Sequence, residues 1–307
     1  MKKFLVILLA AVLFCGCTPQ KQEQKITVYA TLFPQYDFCR AIAGDKVEVK
    51  LLLPFGMESH NYEPGVQDIK NIYDCRLFLY TGAQMESWAQ RILESINNNV
   101  KVVDLSEGIE MTEEEHLEHH EHREHHDQHH QIDPHIWTSP KNAKKMAENI
   151  LNALCDIDSR NSEFYIKNAQ SYFKELDRLD KEFAELGEKT KNITLCHGGK
   201  FSLGYLTKDY GIEFLSALDS CESNAEPSVK RVKEICEKIK DQNLKAVFYE
   251  ELSVGKVADT VKSETGVEKL LLHSCHNVTK QEFNSGATYV SLMEQNIKNI
   301  KKAIGII

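Results

Sequence analysis

The chain predicts an α/β fold of two lobes, each built on a mostly parallel sheet with helices on its faces, and three observations carry that prediction. At 307 residues it exceeds what a single core comfortably encloses. Short β-rich runs alternate with helical stretches twice over, once in each half of the chain. Between the two sets, from about Pro140 to Thr190, lies a stretch with no strand signal and a one-faced apolar period.

The first set reads ITVYATL, VEVKLLL, RLFLY and VKVVDL, with EPGVQDIKNIYD and AQMESWAQRILESI as helical segments between the runs. β-branched and aromatic residues fill the runs, as a pleated, half-buried surface requires. In the middle stretch, Tyr165, Ala169, Tyr172, Leu176, Leu179, Phe183 and Leu186 step by four and three, which puts them on one face of a helix. Continuous from Ser162 to Glu188, that helix would be ~40 Å long at ~1.5 Å per residue, enough to brace both lobes. No proline, and no glycine before Gly187 near its end, marks a break in it. The second set reads NITLC, IEFLSAL, KAVFYE and VEKLLL, with EPSVKRVKEICEKIKDQN among its helices. The implied division is an amino-terminal lobe over 26–157, a connecting helix over 158–190 and a carboxy-terminal lobe over 191–307.

Ahead of the first lobe, Lys2 and Lys3 precede an apolar run from Phe4 to Phe14, which Cys15, Gly16 and Cys17 cut off. That is the layout of a secretory signal over 1–17, too short to serve as a permanent bilayer helix of ~20 residues. A small residue directly before a cysteine at the end of such a run resembles the bacterial lipobox, so Cys17 is the expected site of lipidation. Residues 18–25, rich in Gln and Lys, then read as a tether. The expected location is extracytoplasmic, anchored by lipid to the bacterial cell membrane.

Composition narrows the function classes. Hydrophobic residues at 42% and charged residues at 27% describe a soluble globular chain, and a net charge of −9 argues against a nucleic-acid partner, which needs a positive footprint. An acidic protein does suit cations. Beyond Cys17 the cysteines fall at 39, 75, 155, 196, 221, 236 and 275, an odd number without a CxxC pair, which leaves a thiolate zinc finger or an iron–sulfur site without support. Some thiols are expected to stay free, and pairing between Cys196 and Cys275 is open.

Histidine is where the sequence is unusual. The insertion from Glu113 to Gln131, EEEHLEHHEHREHHDQHHQ, carries His116, His119, His120, His122, His125, His126, His129 and His130 and almost nothing apolar, so it is expected to be a mobile loop. Its imidazoles and carboxylates are borderline ligands for Zn²⁺, Cu²⁺ or Ni²⁺ and raise the local metal concentration without fixing a geometry. The other five are His60, His135, His197, His273 and His276. Each follows a strand-like run or sits in a connection of the kind that lines the crevice beyond strand carboxyl ends, where open α/β sheets bind ligands. His60 lies in LLLPFGMESHNYEP, ahead of a helix start marked by Glu63 and Pro64. His135 lies in QIDPHIWTSP, with Asp133 two residues away as a partner for a ring N–H. His197 ends NITLC, and Gly198 and Gly199 after it let the backbone turn tightly.

MESHNYEP, DPHIW, CHGGKFSLGY, AEPSVKRV and the closing TYVSLMEQNIKNI, taken in order, resemble the solute-binding lipoproteins of zinc and manganese ABC transporters across essentially the whole mature chain. The resemblance implies a pair of α/β lobes joined by one long, rigid helix with a buried metal at their interface, and a permease as partner of a monomeric receptor. It implies one metal ligand from each of four segments, three of which map onto His60, His135 and His197. In the fourth segment the family commonly has an aspartate near the last strand, whereas this chain reads LLLHSCHNVT. His273, directly after KLLL, is the favoured fourth ligand; His276, Cys275 or a water could take its place, and Glu250 in FYEEL is a further carboxylate ligand or a helix-start acid. Three or four imidazoles suit Zn²⁺ better than Mn²⁺, which prefers oxygen. Set against this zinc receptor are a manganese receptor of the same family, a surface adhesin or metal chaperone on the same fold, and a zinc hydrolase. The hydrolase lacks an HExxH or comparable pairing, so no enzymatic activity is expected.

Overall fold

In the computed structural model the described residues are 25–113, 132–218 and 226–307. The first sheet takes β1 (Ile26–Ala30), β2 (Val47–Leu51), β3 (Leu77–Tyr80) and β4 (Lys101–Asp104) in the order β2-β1-β3-β4, every pair parallel. Its helices are α1 (Phe33–Ala43), α2 (Val66–Asp74) and α3 (Ala89–Leu93). Two further helices follow in the middle of the chain, α4 (Pro140–Ile157) and α5 (Ser162–Thr190). The second sheet repeats the plan with β5 (Thr194–Lys200), β6 (Glu213–Leu218), β7 (Ala246–Tyr249) and β8 (Glu268–Leu271) in the order β6-β5-β7-β8, again parallel. The helices of this part of the chain are α6 (Gly204–Tyr210), α7 (Val229–Asp241), α8 (Lys256–Thr265), α9 (Lys280–Asn284) and α10 (Tyr289–Ala303).

All eight predicted strands are present. Leu77, Phe78 and Leu79 of β3 are buried in succession, the mark of a parallel strand covered on both faces. α5 runs unbroken for 29 residues and buries Tyr165, Ala169, Leu176, Leu179, Phe183 and Leu186 on the predicted face. It packs on α1 and α4 on one side and on α6 and α10 on the other, so one apolar stripe serves both halves. The main core accordingly runs without interruption from Val28 and Phe38 through Trp137 and Phe183 to Phe248 and Met293. A smaller cluster of Tyr29, Ile72, Phe78 and Trp88 fills the far face of the first sheet.

Three segments depart from the sequence reading. α2 starts at Val66 rather than at Glu63 and Pro64, because Asp68 folds back to accept the N–H of Gly65 at 2.9 Å and closes the first turn there. The AQMESWAQRILESI segment gives only the short α3, since Glu86 is drawn inward to accept the amides of Thr81 and Gly82 at 3.1 and 3.2 Å. The strand beginning at NITLC continues to Lys200, so His197 lies within β5 and the two glycines after it are extended rather than turned. Their smallness serves close approach instead: a Cβ on Gly198 would meet the Ala258 backbone at 2.8 Å, and one on Gly199 would meet the Glu250 carboxylate at 1.8 Å.

The lipidation site Cys17, the signal and the tether up to Gln24, and the eight histidines of the insertion lie outside the described residues, as does Cys221. Among the described residues, Cys39, Cys75, Cys155, Cys196, Cys236 and Cys275 are all free, so Cys196 and Cys275 are not bonded to each other. No helix among the described residues is long and apolar enough to cross a membrane.

Candidate metal centre

In both sheets the chain reverses direction of travel between the first strand and the third, and in the second sheet that switch point falls between β5 and β7. His197 on β5 stands opposite Phe248 on β7, and Glu250 and Glu251 follow directly at the end of β7. Facing them from the first half are the connection after β2, which carries Glu58 and His60, and the segment leading into α4, which carries Asp133 and His135. A cavity of about 250 Å³ opens between them, lined by Glu58, His60, His135, Lys200, Glu250, Glu251, Ser274 and His276 among others.

Two imidazoles 75 positions apart in sequence meet in it: Nε2 of His60 lies 3.1 Å from Nε2 of His135. The orientation of His135 is fixed from behind. Asp133 Oδ1 accepts its backbone N–H at 2.9 Å and its Nδ1–H at 2.7 Å, which leaves the Nε2 lone pair toward the cavity. Asp133 in turn fits against α6 only because Gly204 is there, where a Cβ would stand 2.4 Å from its carboxylate. Burial, and then the neighbouring His135 ring, push the His60 imidazole down to about 4, so this ring is neutral near neutral pH.

From the second half, His276 reaches the cavity. Its Nδ1 is 2.7 Å from Ser274 Oγ and 2.9 Å from Glu251 Oε1, while its Nε2 is buried without a hydrogen-bond partner, 3.8 Å from Glu58 Oε1. Burial would lower this imidazole, but the hydrogen bond to Glu251 and the charges of Glu251 and Glu58 outweigh it and raise it. Glu251 shows the converse: burial alone would raise its carboxyl, yet His273, His276 and the Ser274 hydrogen bond hold it well below the usual carboxylate range. His197 is buried beside Glu250, and both its Nδ1 and the Oε2 of Glu250 are buried without a hydrogen-bond partner. Buried orphans of this kind are expensive, and lone pairs left unused around one cavity are what a cation would take up.

His273 stands elsewhere. Its Nδ1 accepts the N–H of Cys275 at 2.8 Å, which puts the ring proton on Nε2, an atom 3.8 Å from Glu282 Oε1. The Nδ1 lone pair is thus spent, Nε2 is a buried N–H without a hydrogen-bond partner, and neither His273 nor His197 is on the cavity wall. Cys275 is fully buried at a positive φ of 67°, the bend that separates His273 from His276, and its thiol is directed to the carbonyl of His273 at 3.8 Å. Glu250 lines the cavity and is not a helix-start acid, since α8 begins at Lys256. Among the described residues no three His, Cys, Asp or Glu side chains are already grouped closely enough to hold an ion. What the fold brings together is the facing pair His60 and His135, with His276, Glu250 and, behind Glu250, His197 as further donors. Glu58, Lys200 and Glu251 were not singled out from the sequence; the Glu250–Glu251 doublet at the end of a strand and the Glu58 two residues before His60 were the available signals.

A family model described as zinc-uptake complex component A, periplasmic, matches residues 28–303. The high-affinity zinc uptake system protein ZnuA of Bacillus subtilis (strain 168) is 35% identical over 302 residues, covering 94% of this chain and 92% of that protein. The zinc-binding lipoprotein AdcA of Streptococcus pneumoniae is 33% identical over 314 residues, 98% of this chain but only 61% of the relative. Among solved structures, the Zn(II)-bound ZnuA-like domain of Streptococcus pneumoniae AdcA superposes with a TM-score of 0.75 at 29% identity, covering 92% of this chain and 99% of that one. The metal-dependent lipoprotein YcdH from Bacillus subtilis gives 0.76 at 31% identity, with 91% and 99% covered. From the extent of the family match and the identity of these relatives, the chain belongs to the family of the periplasmic zinc-uptake complex component A.

Proposed function

We propose that the protein is an extracytoplasmic receptor that captures Zn²⁺ between its two halves and delivers it to an ABC importer. The observation that carries this is the 3.1 Å approach of two ring nitrogens from distant segments, backed on one side by the Asp133 carboxylate. In the folded protein one ring can donate its N–H to the facing nitrogen, and a cation that takes the place of that proton would be held by both rings. His60, His135 and His197 are the ligands carried by the resemblance, and the tautomers favour His276 over His273 as the fourth donor, with Glu250 as the carboxylate nearest to His197. A set dominated by imidazole nitrogen suits Zn²⁺ rather than Mn²⁺, and the names of the relatives point the same way. When the protein donors fill the coordination shell, no position stays open for a metal-bound water, so the role is capture and not hydrolysis. Lipidation at Cys17 would hold the receptor at the membrane beside its permease, the partner class the family works with.

Competition titration of Zn²⁺ against a chromophoric chelator tests the reading. His60→Ala and His135→Ala should each weaken tight binding by on the order of 100-fold or more, since even loss of a partner behind a ligand costs about 10–100-fold. His276→Ala should lose more than His273→Ala. Parent-like affinity in both His60→Ala and His135→Ala would sink the assignment.

A further inference from the structure

We infer that Glu251 is a positioning residue for the metal site, acting through His276: its carboxylate fixes the imidazole so that Nε2 faces the cavity, as Asp133 does for His135 in the opposite half. The inference rests on the zinc-receptor reading and deepens it.

The geometry leaves little freedom. Glu251 is 6% exposed, and every polar contact it makes goes to the segment Ser274–His276 or to His273 beside it. One oxygen, Oε2, accepts the backbone N–H of Ser274 at 2.8 Å. The other, Oε1, accepts the Ser274 hydroxyl and lies 2.9 Å from His276 Nδ1. With its own hydrogen spent on Glu251, the Ser274 hydroxyl can only accept at the 2.7 Å contact it makes with the same Nδ1. Nδ1 therefore faces two acceptors and must carry the ring proton. In the neutral ring Nε2 is then the lone-pair nitrogen, and it is the buried atom left without a partner. A carboxylate behind an imidazole also makes the far nitrogen a stronger donor. Burying an ionised carboxylate is costly unless it is hydrogen-bonded, as Glu251 is. The two halves thus carry the same device on unrelated segments, Asp133 with His135 at 2.7 Å and Glu251 with His276 at 2.9 Å.

A carboxylate that merely held the 273–276 bend together would show the same contacts, so the test must read the metal. Glutamine cannot accept from Ser274 N–H and from Nδ1–H at once, so Glu251→Gln should release the ring while keeping the side chain's size. Zn²⁺ affinity is measured by competition, and Co²⁺ is added to report coordination number through its visible d–d absorption. Glu251→Gln should weaken Zn²⁺ binding by about 10–100-fold. Its Co²⁺ spectrum should move to that of His276→Ala, and the double variant should bind no more weakly than His276→Ala alone, because the two substitutions remove one interaction. Should Glu251→Gln not fold, Glu251→Asp supplies the same three readouts with the charge kept and the reach shortened. A parent-like Co²⁺ spectrum, or an affinity loss that adds to that of His276→Ala, overturns the proposal. His60→Ala is the control: if it binds like the parent, the receptor reading itself fails and this proposal with it, whereas loss in His60→Ala with none in Glu251→Gln overturns the proposal alone.

Discussion

Glu86 is a buried carboxyl that does not line the cavity, tied to Thr31, to the amides of Thr81 and Gly82, and to Gln35. Burial pushes it up to about 7 from an ordinary 4.5, although its hydrogen bonds work in the other direction. Because the folded state binds this proton more tightly than the unfolded chain, the stability it lends is complete below about pH 4.5 and is lost as pH rises toward 7. Asp37, raised by burial to about 6, adds a smaller dependence of the same sign. Glu86→Gln should therefore flatten the decline in stability from pH 5 to pH 7.5, gaining on the parent by at most ~3 kcal/mol over that span. Denaturant unfolding at the two pH values checks this, and parallel changes in parent and variant would refute it. Residues of this sort mark where the sequence stopped being legible. His60 and His135 could be found because loop histidines next to proline and glycine are rare and chemically loaded. The choice between His273 and His276 could not be made, because it depends on which ring nitrogen a backbone amide two residues away occupies, a matter of the bend at Cys275. Glu251 was hidden for the same reason, since its partners lie 23 positions along the chain.

At the level of elements the period of apolar residues was a sufficient guide wherever a segment was long. The seven-position stripe of α5 predicted the helix within two residues at its far end, and all eight strands were readable from β-branched runs. What the pattern could not show was where a side chain pulls the backbone out of its local preference, as Glu86 does ahead of α3, or where two elements touch. Gly187 in the last turn of α5 is such a contact. A Cβ there would stand 1.9 Å from the carbonyl oxygen of Tyr210 at the end of α6, a backbone atom that cannot swing aside. Glycine to alanine inside a helix ordinarily gains about 1 kcal/mol. Here overpacking against backbone, at about 1–3 kcal/mol or more, should win. Gly187→Ala is expected to lower the thermal midpoint by several degrees, and a raised midpoint would show that α6 can retreat from α5 without loss.

The whole molecule is stitched together under the site. Trp137 Nε1 donates to the carbonyl of Ser274 at 2.7 Å, Asn277 donates to the carbonyls of Pro54 and Met57 at 2.8 Å each, and Gly56 N–H donates to Val278 at 3.0 Å. Asp37 of α1 accepts the N–H of Tyr289 at the start of α10 at 2.9 Å, joining first and last helices. The feet of the histidine-rich insertion are tied to this frame in their own right. Glu113 pairs with Ile132 in an antiparallel bridge, Asp133 N–H donates to Thr112 at 2.8 Å, and Tyr205 receives the Thr112 N–H at 3.1 Å while donating to the carbonyl of Asp133 at 2.9 Å. Asp133 and His135 thus take their places from residues outside the insertion. Since bridged partners sit ~4.5–5.5 Å apart, a two-residue Asn-Gly turn can replace residues 114–131 without moving either foot. That replacement should leave tight Zn²⁺ affinity within about threefold of the parent, because none of the proposed donors His60, His135, His197 and His276 is removed, while the number of weakly bound Zn²⁺ ions per chain falls. Equilibrium dialysis at low and high free Zn²⁺ separates the two populations. If the shortened protein loses the tight ion and keeps the weak ones, the histidines of the insertion, not the cavity between the halves, are where the metal is held.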